Sequence, residues 1–430
     1  MKRAHLNGES PATFRRLGRD VLFAVPVGLL AGSASALFLW SLDRVTEARW
    51  QQPWLLWLLP VAGFAVGWVY HRIGQGAERG TDLILDQIHT PGGGVPARMA
   101  PLVLVGTLAT HLCGGSAGRE GTAVQMGGSL ADAFSRLCRL DASTRRALLI
   151  AGIAAGFGSV FGTPLAGALF SLEVLVTGRL AYRHLLPALT ASIVGDLTCT
   201  AWGGQHAVYT IGTSGSSFFA APVEPWLLFK VLAAAAVFGL VGRGFSEITH
   251  QAHALLKRFV AYAPLRPLLG GLVVIALVYL VDTRDYPGIG VSSPDPRAVT
   301  LHSAFQTDGA GTWIWAWKLV FTVVTLASGF KGGEVTPLFF IGATLGHTLA
   351  LLLGAPAGLF AGLGLIAIFA GATKTPLACT VLGIELFGAH HAVYFALACC
   401  VAFLVSGRTG IYSAQRHPSP ATILASKAHK

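Results

Sequence analysis

Apolar residues run in long blocks along this chain, and polar residues gather in short joints between them. Val21 to Trp40, Trp54 to Tyr70, Leu227 to Leu240 with its flanks, and Leu349 to Phe369 each predict a helix long enough to span a bilayer. Lipid offers backbone groups no water to bond, so such segments must close on themselves as helices. An all-α integral membrane bundle is therefore expected. Many of the 53 glycines interrupt these apolar runs instead of sitting only in the joints, so many helices are expected to be broken, short or tilted.

Composition agrees, with 53% hydrophobic and only 12% charged residues, far from the balance of a soluble domain. The net charge of +11 comes from basic residues scattered at helix ends. That distribution sets membrane topology and does not form the basic stripe of a nucleic-acid binder, so no nucleic-acid partner is expected. Lys2, Arg3, Arg15, Arg16 and Arg19 precede the first apolar run, which puts a segment 1–20 in the cytoplasm and argues against a cleaved signal peptide. The expected order is then a first membrane repeat at 21–202, a connecting loop at 203–224, a second repeat at 225–415, and a cytoplasmic tail at 416–430 too short for a domain. The six cysteines lie in or beside apolar runs without metal-ligand spacing and read as packing residues. No metal or cofactor is expected.

The chain repeats itself. Thr163-Pro164-Leu165-Ala166 leads to Glu173, and Thr375-Pro376-Leu377-Ala378 leads to Glu385, an offset of 376 − 164 = 212. Gly118-Arg119-Glu120-Gly121-Thr122 is matched by Gly332-Gly333-Glu334-Val335-Thr336-Pro337, with glutamates 334 − 120 = 214 apart. Two membrane halves broken by glycine at corresponding positions point to a transport site between the repeats.

The stretch Gly114 to Thr122 lacks the Lys-Ser/Thr ending of a phosphate loop. It does cluster backbone N–H groups at a helix start, where the helix dipole favours an anion. A carboxylate there is itself an anion: charged, Glu120 fills the site, and protonated, it leaves. One residue is then both gate and proton carrier. The plainer reading is a capping glutamate, and the matched glutamate at 334 favours function. Glu173 and Glu385 read as structural acids at helix ends. Gln125 and Thr325 have no independent case. His390 and His391, adjacent on a helix, point in different directions and make no metal pair. Arg119 is expected to brace the gate segment, and Lys331 and Lys374 to lie at helix ends. The chain carries no Ser/His, Asp/Asp or HExxH arrangement at useful spacing, which disfavours a membrane-embedded enzyme.

These residues together resemble the CLC family of chloride channels and anion/proton antiporters, over nearly the whole length. Gly118-Arg119-Glu120-Gly121 is similar to the family's glutamate gate, Gly332 to Pro337 to its second anion-binding helix start, Gly92 to Pro96 to its first, and Tyr412 to its inner-gate tyrosine. The resemblance implies an inverted repeat of two helical halves and a homodimer with a pathway in each subunit. It also assigns roles: Glu120 to protons and gating; Gly93, Gly94, Gly121, Glu334, Val335, Thr336 and Tyr412 to the anion; Arg119 and Thr122 to support. Tyr412 read alone is equally an interfacial anchor.

The departures carry information as well. Gly93 stands where a serine is usual, Thr122 where a proline is usual, and Val335 where a phenylalanine is usual. Val174 replaces the inner proton-transfer glutamate of chloride exchangers. Gly-Arg-Glu-Gly-Thr and Gly-Gly-Glu-Val-Thr-Pro resemble the bacterial branch that exports fluoride in exchange for protons. Fluoride is small and strongly hydrated, so a dry site must supply close donors, as backbone N–H groups and the hydroxyls of Thr336 and Tyr412 could. Glu334, if protonated, would donate to fluoride and, if ionised, would repel it; its plainer role is a helix cap. The expectation is a fluoride/proton antiporter of a bacterial inner membrane, with a chloride/proton exchanger or a passive chloride channel of the same fold as the alternative.

Overall fold

The computed structural model describes residues 11–211, 223–306 and 309–417, with side chains from residue 15 onward. Lys2 and Arg3, residues 212–222 of the expected connecting loop, and the tail from 418 lie outside the described residues. Among the described residues the secondary structure is helical. The first half holds α1 Pro11–Gln51, α2 Leu59–Ile73, α3 Thr81–His89, α4 Met99–Leu112, α5 Glu120–Leu137, α6 Ala142–Phe161, α7 Pro164–Glu173 and α8 Leu185–Ala201. The second holds α9 Pro225–Phe259, α10 Leu265–Val281, α11 Ile314–Ala327, α12 Val335–Leu353, α13 Ala357–Thr373, α14 Pro376–Phe387 and α15 Ala392–Val405.

The repeat extends through whole elements. α4 and α11 start 314 − 99 = 215 residues apart, α5 and α12 335 − 120 = 215, α6 and α13 357 − 142 = 215, and α7 and α14 376 − 164 = 212. The nine-residue α3 has no counterpart between α10 and α11, where a long connection runs instead.

Among the described residues, five stretches are long and apolar enough to cross a membrane: Arg15–Gln51, Pro53–Ile73, Ala142–Phe161, Pro225–Phe259 and Val335–Leu353. The apolar run Leu349 to Phe369 is not one span, as its length suggested. It is cut at Gly354, whose backbone is left-handed (φ +56°), followed by Ala355 and Pro356, so α12 ends and α13 begins inside it. Hydropathy cannot register such a cut because all three residues are small or apolar; backbone conformation makes it.

Glycine sets how closely the helices approach. A Cβ on Gly127 of α5 would fall on the carbonyl oxygen of Gly152 in α6, and one on Gly342 of α12 would fall on that of Gly364 in α13. The pairs are related by 342 − 127 = 215 and 364 − 152 = 212. Each half thus uses the same backbone-to-backbone contact, in the manner of small residues at membrane helix interfaces.

The halves are joined reciprocally. The Glu173 carboxylate, closing α7, accepts from the N–H groups of Leu377 (3.2 Å) and Ala378 (2.8 Å), which open α14. The Glu385 carboxylate on α14 accepts from Leu165 (3.0 Å) and Ala166 (2.8 Å), which open α7. Each helix therefore caps the other in trans, and both glutamates are structural acids at helix ends, as expected.

Candidate anion and proton site

The two glycine-rich breaks meet each other in the fold. Gly118 and Gly333 bond each other in both directions, Gly118 N–H to Gly333 O at 2.7 Å and Gly333 N–H to Gly118 O at 2.8 Å, as an antiparallel bridge. A side chain on Gly121 would meet the Gly333 Cα at 2.9 Å, so the crossing requires glycine. α5 starts immediately after one strand of this crossing and α12 immediately after the other.

Glu120, the first residue of α5, is fully buried. Its carboxylate does not cap its own helix. It reaches the N-terminus of α12, accepting from Thr336 N–H at 3.0 Å and from the Thr336 hydroxyl, and it also accepts from Arg119 N–H at 3.2 Å. The Arg119 guanidinium stands 3.4 Å from the same carboxylate. These are the donors an anion would seek: a helix N-terminus, a hydroxyl and a cation, all shielded from water. The Glu334 carboxylate lies beside Gly121, 3.7 Å from where a Cβ there would sit. Val335 is buried beside it at the start of α12.

The segment 114–122 is held from behind by one face of α11. Thr325 Oγ1 accepts from Ser116 N–H at 3.1 Å, and Thr322 Oγ1 lies 3.0 Å from Ser116 Oγ. One turn earlier, Lys318, fully buried, donates to the carbonyls of Tyr286 and Gly288 at 2.8 Å each. Gly288 in turn donates to Gly115 O at 3.1 Å. Residues 318, 322 and 325 follow helical spacing, so α11 grips both the segment 114–122 and the loop over it. Thr325 thus gains the case that the sequence did not give it.

Tyr412 lies in the segment after α15, 8% exposed, with its ring edge-on to Phe170 at 6.3 Å. Its neighbours are tied down: Ile411 N–H to Ala372 O (2.9 Å), and Ser413 Oγ and Ala414 N–H (3.0 Å) to the Asp82 carboxylate on the first turn of α3. The helix start beside Tyr412 is therefore that of α3, opened by Gly80.

One expectation needs correction. Gly93 and Gly94 do not join the Glu120 cluster and do not open a helix. They sit in the loop between α3 and α4, Gly93 exposed, and Gln87 Oε1 takes the N–H groups of Gly92 and Gly94 (both 3.0 Å). Val95 N–H is taken by Asp132 at 2.9 Å. Thr122, assigned to support, pairs its hydroxyl with that of Thr107 at 2.7 Å and so ties α5 to α4. Sequence reading passed over Gly80, Thr81 and Asp82; the signal available was a glycine followed by a short amphipathic run, obscured by the more conspicuous Gly92-Gly93-Gly94.

The profile of the family described as "Voltage gated chloride channel" matches residues 62–407. The chain belongs to the CLC family. It is 53% identical over 396 residues to a "Chloride/fluoride channel protein" of Pseudomonas syringae pv. tomato, covering 91% of this chain and 84% of that one. It is 28% identical over 337 residues to the "H(+)/Cl(-) exchange transporter ClcA" of Yersinia pestis bv. Antiqua, 74% of this chain and 67% of that one. Among solved structures, a "CLC-type fluoride/proton antiporter" superposes with a TM-score of 0.87 at 33% identity, over 93% of this chain and 98% of that one. A slow cyanobacterial Cl-/H+ antiporter shares the CLC fold at a TM-score of 0.77 and 19% identity, over 95% and 98% of the two chains.

Proposed function

We propose that this CLC protein exports fluoride in exchange for protons across a bacterial inner membrane, as a homodimer with one pathway per subunit. The observation that carries the reading is the Glu120 carboxylate seated on the N-terminus and hydroxyl of Thr336. An incoming anion and a charged Glu120 compete for the same donors, and protonation of Glu120 releases them. Anion and proton thereby become linked at one seat. The likeness to a fluoride/proton antiporter and to a chloride/fluoride channel protein supports fluoride as the anion.

In this mechanism Gly121 keeps the crossing tight, Arg119 offsets the charge at Glu120, and Val335 walls the site. Thr336 donates to the anion, Glu334 adds a second acid beside it, and Tyr412 closes the inner side. Fluoride accepts several short bonds at once, whereas larger chloride reaches fewer of them. The homodimer rests on the resemblance of the Thr-Pro-Leu-Ala helices α7 and α14 to those that flank the family's dimer interface; Leu165 and Leu377 are exposed there.

The test is efflux from proteoliposomes under an imposed proton gradient, with fluoride and chloride compared in one preparation. Fluoride is expected to leave at least tenfold faster and to carry protons inward; Glu120→Gln, unable to charge, should abolish proton movement. Equal efflux of the two ions would leave a general CLC anion transporter, and uphill proton movement by the variant would remove Glu120 as carrier.

A further inference from the structure

A cavity of about 600 Å³ opens beside the end of α1, lined by Asp43, Glu47 and Trp50, by Ile289 and Val291 of the connection before α11, and by Arg119. Arg119 is 9% exposed and touches the Glu120 carboxylate, so this cavity ends one side chain short of the gate. Its Nε, 3.4 Å from Glu120 Oε1, is in ion-pair contact with that carboxylate without a hydrogen bond among the described residues. Since α1 starts on the cytoplasmic side under the proposed orientation, the cavity is the outer mouth of the pathway.

Asp43 and Glu47 are one helical turn apart, so they share a face of α1, and both are exposed. Both also border a second cavity on the far side of that face, with Arg44, Trp202 and Gln205. Among the described residues neither carboxylate is in an ion pair; Glu47 accepts a hydrogen bond from Gln51 (3.3 Å). The charged groups facing them are Arg119 from the gate segment and Arg44 on α1. The connection before α11 contributes Ile289, Val291, Ser292 and Pro294, all uncharged, and the stretch after α8 contributes the neutral Gln205.

We propose that Asp43 and Glu47 collect protons from the outer solution and supply them to Glu120 through this mouth. The inference rests on the proton-coupled reading above and adds two residues to it. At a diffusion limit of about 10¹⁰ M⁻¹s⁻¹, direct collision brings roughly 10³ protons per second to one group at pH 7 and roughly 10² at pH 8. Turnovers at the upper end of the enzyme-like range of about 1–10³ s⁻¹ therefore outrun direct supply as the outside becomes alkaline. Two exposed carboxylates beside a low-dielectric mouth enlarge the target and raise the local proton concentration. Arg119 at the floor keeps the net charge from barring the departing anion.

The experiment compares wild type with Asp43→Asn/Glu47→Gln in fluoride-loaded proteoliposomes, recording fluoride efflux and proton uptake as external pH is stepped from 5.5 to 8.5. The double variant is expected to match wild type within twofold at pH 5.5, to fall about five- to tenfold below it at pH 8 and above, and to keep the same fluoride-to-proton ratio. Asp43→Glu/Glu47→Asp, which keeps both charges, should follow the wild-type profile. An unchanged pH profile overturns the proposal, and so does a loss equal at every pH or a changed ion ratio. If wild type itself moves fluoride without protons, the functional reading fails, a result distinct from any difference between the variants.

Discussion

Thr336 shows what one side chain contributes. It presents a backbone N–H and a hydroxyl to the same carboxylate, and valine at this position keeps the first and the volume while removing the second. A donor lost from a dry site costs about 1–3 kcal/mol, so Thr336→Val should slow fluoride efflux roughly tenfold and Thr336→Ser should restore most of it. Fluoride-electrode traces from proteoliposomes measure this; efflux by Thr336→Val equal to wild type would show that the hydroxyl does not serve the anion. Glu120, Glu334 and Thr336 were legible in the sequence because acids and hydroxyls inside glycine-rich breaks of apolar runs have few other reasons to be there. Gly93 misled for an opposite reason. Glycine clusters are common in loops, and only the three-dimensional partner, Gln87, reveals what this one does.

At the scale of elements, α11 behaves as a clamp. Its three polar residues sit on one face and hold two segments that share no sequence with each other. Replacing Lys318 by methionine preserves the apolar stem and leaves the carbonyls of Tyr286 and Gly288 without a donor. Each buried orphan costs about 1–3 kcal/mol. Lys318→Met is therefore expected to lower the melting temperature of the detergent-solubilised protein by several degrees and to cut efflux, while Lys318→Arg recovers most of both; melting unchanged by Lys318→Met would dismiss the clamp. Sequence patterning reached the elements unevenly. α1 and α9 announce themselves through long apolar runs, but α3, only nine residues long, has too little length to register, and the cut at Gly354 falls where hydropathy stays high.

For the molecule as a whole, the acids divide into two kinds. Glu173 and Glu385 tie half to half, and Glu334 stands at the crossing of the glycine breaks. Glu173→Ala strands two N–H groups of α14, a loss of about 1–2 kcal/mol for a helix cap, and should lower melting temperature and dimer yield while the transport rate per folded dimer stays near wild type. Glu334→Ala should do the reverse, leaving a stable dimer with efflux lowered at least tenfold. Size-exclusion and efflux measurements on the same samples decide it, and equal transport losses in two well-folded variants would erase the distinction.

The exchange of caps between α7 and α14 also bears on how the chain comes into being. Leu165 and Ala166 wait for a carboxylate that lies 385 − 166 = 219 residues further on. At about 5–20 residues per second, that interval lasts roughly 10–40 s. During it the opened start of α7 sits in the membrane with its donors unanswered. The first half therefore cannot complete its fold on its own schedule, and the nascent protein is at its most vulnerable to quality-control proteases in the window before its second half arrives.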